Sequence, residues 1–80
     1  MQATSLHLLP AGRRARITDI EGSAGFIGRA TAIGFTPGAE LTLIRNSKGW
    51  PLIVFLRDTQ IVVDREESQG ILVHEINNIR

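Results

Sequence analysis

The stretch Gly25-Phe26-Ile27-Gly28-Arg29-Ala30-Thr31-Ala32-Ile33-Gly34-Phe35-Thr36-Pro37-Gly38 constrains the fold more than any other. Phe26, Ile27, Ala30 and Ile33 fall at i, i+1, i+4 and i+7, so they share one face of a short helix. Gly34 stands just past the last of them, where a left-handed cap needs no side chain. Phe35 follows at the position that packs back over the last turn. Thr36-Pro37-Gly38-Ala39 then reads as a type II turn, with proline supplying the fixed φ and glycine the positive one. A short helix is thereby stopped and turned at once into a strand.

The rest of the chain is organised around this unit. Met1 to Ser5 reads as a frayed end. Leu6 to Gly12 is an apolar lead-in closed by Pro10 and Gly12, a plug for one end of a barrel. Arg13 to Glu21 is the first strand, in which Ala15, Ile17 and Asp19 alternate with Arg16, Thr18 and Ile20. Ile17 is its leading core residue, and Arg14 and Arg16 point to water. Gly28 inside the helix costs about 1 kcal/mol against Ala, which suggests a close approach of backbone or a partner. Ala39 to Asn46 is the second strand, with Leu41 and Leu43 inward. Asn46 to Pro51 is a loop by its turn residues.

Leu52 to Leu56 is a short unbroken apolar run of strand type. A turn centred on Asp58-Thr59 sets Leu56 against Ile61, Phe55 against Val62 and Val54 against Val63. Asp64 to Gly70 is a polar turn with room for one helical turn, Ile71 to Val73 the last strand, and Asn77 to Arg80 a tail. The expected fold is mainly β. It is a small barrel of about five strands with one short helix inserted between the first and second strands, a single domain over residues 1–80.

Composition narrows the function. Eighty residues bury only roughly 60% of the unfolded surface, so association would help stability. A hydrophobic share of 42% with 21% charged residues suits a globular fold. The net charge of +1 gives no reason to expect a nucleic-acid partner. The lack of cysteine removes disulfides and thiolate chemistry together, and fits a reducing compartment. No apolar run reaches the roughly 18 residues of a membrane span. The expected location is the cytoplasm, with any membrane association made through a partner.

Three motifs carry a resemblance. Arg29-x-x-x-Ile33-Gly34-Phe35-Thr36-Pro37-Gly38 resembles the core of the FeoA family. Leu6-x-x-Leu9-x-x-Gly12-x-x-Ala15-x-Ile17 is similar to its opening, and Asp64-Arg65-x-x-Ser68-x-x-Ile71-x-Val73 to its close. Ala30 stands where the family usually has Leu. The resemblance implies an SH3-like barrel and a non-enzymatic cytoplasmic accessory protein of ferrous-iron uptake. It also implies a partner, the FeoB membrane transporter, which such a protein would bind and modulate. Two other readings stand beside it. One is the SH3-like regulatory domain of iron-dependent repressors, and the other is a small RNA-binding barrel. The latter is disfavoured by the absence of tyrosine and the near-zero charge.

One anomaly points to a surface. Half-buried strands alternate, but the third and fourth do not. With Leu52, Val54, Leu56, Ile61 and Val63 inward, Ile53, Phe55 and Val62 form an outward apolar face where the family usually has polar residues at the first two positions. Either the helix or the plug covers that face, or it meets another subunit or a partner. The candidate partner-binding residues are Arg29, Phe35, Trp50, Ile53, Phe55 and Val62, with Gly34, Pro37 and Gly38 as structural turn residues. A homo-oligomer would use the Ile53, Phe55 and Val62 face. Trp50 either caps the barrel or docks a partner.

Catalysis has little footing. His7 and His74 lack neighbours at ligand spacing, the serines lack a nucleophile-elbow context, and the glycines at 22, 25 and 28 lack the lysine of a P-loop. No catalytic residue, metal ligand or cofactor is expected. Arg13, Arg14 and Arg16 are the only basic cluster, with room for Arg29 nearby. They read as a strand edge protected against pairing or as a site for an acidic partner surface or nucleic acid.

Overall fold

Alternation in the apolar segments builds one curled sheet in a computed structural model that describes residues 3–76. Among these residues the strands are β1 (Thr4–Ser5), β2 (Arg14–Ile20), β3 (Glu40–Arg45), β4 (Leu52–Leu56), β5 (Thr59–Val63) and β6 (Ile71–Ile76). All neighbours are antiparallel, in the order β1-β6-β2-β3-β4-β5. Helix α1 (Ala24–Ala32) joins β2 to β3, and the one-turn helix α2 (Arg65–Ser68) joins β5 to β6. The class is the expected small SH3-like barrel. Its interior is filled by alternate residues: Ala15 and Ile17 from β2, Leu41 and Leu43 from β3, Leu52, Val54 and Leu56 from β4, and Ile71 and Val73 from β6. Burial of each large member contributes about 1.5–3 kcal/mol.

The helix unit forms as its residues dictate. The Ser23 hydroxyl accepts the Phe26 amide at 3.1 Å and caps the start of α1. At the other end Phe35 N–H donates to the Ala30 carbonyl at 2.8 Å and Gly34 N–H to that of Thr31 at 3.1 Å. This is the paired closure of a Schellman cap, and Gly34 takes the φ of +107° that it needs. Ala39 N–H to Thr36 O at 3.0 Å closes the next turn, with Gly38 at φ +93°. The turn is then sewn to β2, because Gly38 N–H donates to Ile17 O and Ile17 N–H to Ala39 O.

Several expectations change. Thr4 and Ser5 are not a frayed end: they pair with Val73 and Leu72, making a sixth strand. The Ser5 hydroxyl donates to Gln69 O at 2.9 Å, and fully buried Leu6 anchors the segment. Met1, Gln2 and the tail Asn77 to Arg80 lie outside the described residues. The last strand runs to Ile76, not Val73, because β2 pairs with it as far as Arg14. A bulge between Ile17 and Asp19 breaks the alternation, exposing Asp19 and turning Ile20 onto the core. Ile33 lies beyond the last helical residue and is 51% exposed. Gly28 has open space around it, with no atom within 4 Å of an added β-carbon.

The β4–β5 hairpin has a different register. Its loop is Arg57-Asp58, both at positive φ (54° and 62°), the type I′ geometry that matches strand twist. Leu56 therefore faces Thr59, Phe55 faces Gln60, Val54 faces Ile61 and Ile53 faces Val62. This placement adds Thr59 and Gln60 to the ladder. The shift amounts to two residues, so every side chain keeps its face.

Candidate functional site

Strand β5 ends the sheet order and is flanked by α1. Between them opens a cleft of about 240 Å³, walled by Phe26 and Ala30 of α1, by Ile33 just past its end and by Val62 and Val63 of β5, with Ile71 also lining it. Its lining is mostly apolar. Arg29 and Glu67 rim it and face each other at 3.3 Å, tying α1 to α2.

The outer sheet face continues from the cleft at Val62, which is 68% exposed. Ile53 lies directly opposite Val62 and is half-buried. Phe55 is 40% exposed and sits between Thr42 of β3 and Gln60 of β5. Neither α1 nor the N-terminal plug covers Phe55 and Val62. Ile44 joins this side at 46% exposure, beside the bulge between Leu43 and Arg45. Sequence reasoning missed Ile44, although alternation from inward Leu41 and Leu43 places it outward.

The remaining candidates scatter. Phe35 is only 2% exposed and belongs to the core, so the expectation of a partner-facing ring is corrected. The Schellman cap folds it inward beneath Ala30 and leaves it as part of the cleft floor. Trp50 does not cap the barrel. It is 67% exposed in the loop between β3 and β4. Gly34, Pro37 and Gly38 form the turn unit and stand apart from the exposed face.

The arginine cluster is not a bare basic patch. Arg14 and Arg16 both donate to Glu40, at 2.9 and 2.7 Å, and Arg13 pairs with Glu75. The Arg16 hydrogen bond, helped by the charges of Arg16 and Arg14, outweighs desolvation and lowers the Glu40 carboxyl below its ordinary value. His7 lies in the 3-10 turn Leu6–Leu8, and His74 lies on β6 opposite Arg16. Among the described residues, no group of three or more His, Cys, Asp or Glu gathers into a metal-binding set, and no helix is long and apolar enough to cross a membrane. The cleft between α1 and β5 offers mainly apolar contact, with Arg29 and Glu67 as its charged rim.

Residues 4–75 match the family model of the FeoA domain. The chain belongs to the FeoA domain family. That membership ties it to ferrous-iron transport. No curated protein matches it. The solution structure of FeoA from Chlorobium tepidum is 28% identical with a TM-score of 0.85, over 96% of this chain and 74% of that one. Iron(II) transport protein A from Clostridium thermocellum is 26% identical with a TM-score of 0.84, over 91% of this chain and 46% of that one. IdeR from T. acidophilum is 17% identical with a TM-score of 0.83, over 95% of this chain and 35% of that one. This last likeness shows a shared fold between a FeoA domain and one part of IdeR.

Proposed function

We propose that this FeoA domain is a non-enzymatic adaptor that docks on the cytoplasmic side of a FeoB-type transporter and modulates it. The surface is the Val62, Ile53 and Phe55 face together with the α1–β5 cleft that Val62 shares. The observation that carries the reading is the uncovered pair Phe55 and Val62 beside an apolar cleft, on a chain too small to leave such area exposed without cost. The Arg29–Glu67 pair rims the same cleft and supplies a polar border.

A pull-down from membranes containing the transporter tests this. Wild type should retain the transporter, whereas Phe55→Glu and Val62→Glu should stay folded by circular dichroism and lose it. Retention by both variants, or no capture by wild type, would reject the proposal. If gel filtration shows self-association that Phe55→Glu abolishes, the same face serves a second copy. The IdeR likeness supports a second reading, a regulatory domain acting on a DNA-binding partner. Capture of such a partner in place of the transporter would favour it.

A further inference from the structure

The 3-10 turn Leu6–Leu8 and the loop between β3 and β4 each expose an apolar side chain that does not line the cleft. Trp50 is 67% exposed and Leu8 is 63% exposed. Their segments are tied together by one polar hub. Asn46 donates its side-chain amide to the carbonyls of His7 and Leu9, at 3.0 and 2.8 Å, gripping the chain on both sides of Leu8. Arg65 donates to Asn46 Oδ1 at 2.7 Å and to the carbonyls of Ser47 and Trp50 at 3.1 and 3.0 Å. Trp50 N–H also closes a turn onto Ser47 O at 3.0 Å. The loop is thus pinned by six hydrogen bonds, yet Trp50 stays exposed.

The charge around these two segments is one-sided. The segment Ile44 to Trp50 holds Arg45 and Lys48 and no acid, and no acid occurs before Asp19. Both cations are exposed and make no ion pair among the described residues. Adding Arg65 and subtracting both its sequence neighbours, Asp64 and Glu66, leaves an excess of one positive charge, carried by the unpaired Arg45 and Lys48.

An exposed indole on a pinned loop, tied through Asn46 to the segment of exposed Leu8 and accompanied by unpaired cations, has the chemistry of a bilayer interface. Indole rings settle at headgroup depth, and apolar insertion combines with attraction to anionic lipid. We infer that the Leu8–Trp50 tip inserts shallowly into an anionic lipid surface. This contact is independent of the transporter-docking face, so either can fail alone.

Trp50 is the single tryptophan, so intrinsic fluorescence reads this tip and nothing else. The full chain is titrated with vesicles of phosphatidylcholine containing phosphatidylglycerol, and with pure phosphatidylcholine. Trp50 emission should shift to the blue and the protein should co-sediment with the anionic vesicles only, less so at high salt. Lys48→Glu reverses one charge, a change of two, and should lower partitioning about thirtyfold. Leu8→Ser should weaken it as well, while Val62→Ser, on the other surface, should bind like wild type. The inference is overturned by an unshifted emission with anionic vesicles. It is equally overturned by equal binding to both vesicle types, or by a blue shift with soluble polyglutamate and none with vesicles, which would make the tip a protein contact.

Discussion

The carbonyl oxygen of Glu21 occupies the space that a β-carbon on Gly70 would need, at a distance of 2.0 Å. The two residues also share a hydrogen bond, from Glu21 N–H to Gly70 O at 2.7 Å. This contact joins the exit of β2 to the entry of β6. Gly70→Ala must push the two backbones apart, and overpacking of this kind costs about 3 kcal/mol. Urea denaturation should show a lower midpoint with an unchanged slope. A midpoint equal to that of wild type would refute the close approach.

Glu40 gives the fold an acid sensitivity with a defined sign. Its carboxyl is lowered in the folded protein from an ordinary 4.5 by Arg16 first and Arg14 second. A depressed carboxyl contributes stability that is fully present above its unfolded value and is lost as pH falls through the lower folded one. Wild type should therefore lose stability on acidification below about 4.5 more steeply than Glu40→Gln. The contrast should shrink in high salt, because the cluster is exposed. Parallel acid titrations of the two proteins would exclude the coupling.

The β4–β5 loop places two non-glycine residues in left-handed backbone. Each such residue costs about 1 kcal/mol against glycine. Asp58→Gly should raise stability by about that amount, which is several degrees in the thermal midpoint of a domain this size. A lower midpoint would show that the loop adopts another turn type.

Asn46 satisfies two carbonyls of the N-terminal segment with one amide group. Asn46→Ala should destabilise by about 2 kcal/mol, because partly buried acceptors are left without donors. Asn46→Asp keeps the shape but cannot donate, so it should lose at least as much. Thermal unfolding of both variants checks this, and an unchanged Asn46→Asp would show that water replaces the amide.

Local chemistry explains which parts of this architecture could be read in advance. The helix stop and turn from Gly34 to Gly38 are encoded within a few residues, so their geometry was accessible. The strands of the core follow from alternation, and so does the outward side of Phe55 and Val62. That assignment survives the hairpin correction because a two-residue slip conserves sidedness. What stayed hidden depends on distant partners. Thr4 and Ser5 look unstructured until Val73 and Leu72 are beside them. The bulges at Asp19 and Ile44 have no local signature. The burial of Phe35 was visible in its cap position, yet its aromatic ring drew a functional reading. Arg65 and Asn46, each in a polar stretch, gave no hint of the network that holds Trp50.

Strand β6 is synthesised after the other five described strands and yet lies between β1 and β2. Until it leaves the ribosome, the oldest strand has no neighbour at all and β2 has only β3. The growing polypeptide therefore waits with open amide ladders and bare Leu6 and Ile17, and non-local pairing of this kind is slow. A translation product cut off before Ile71 is not a smaller barrel. It is an adhesive intermediate that calls for rapid completion or a chaperone.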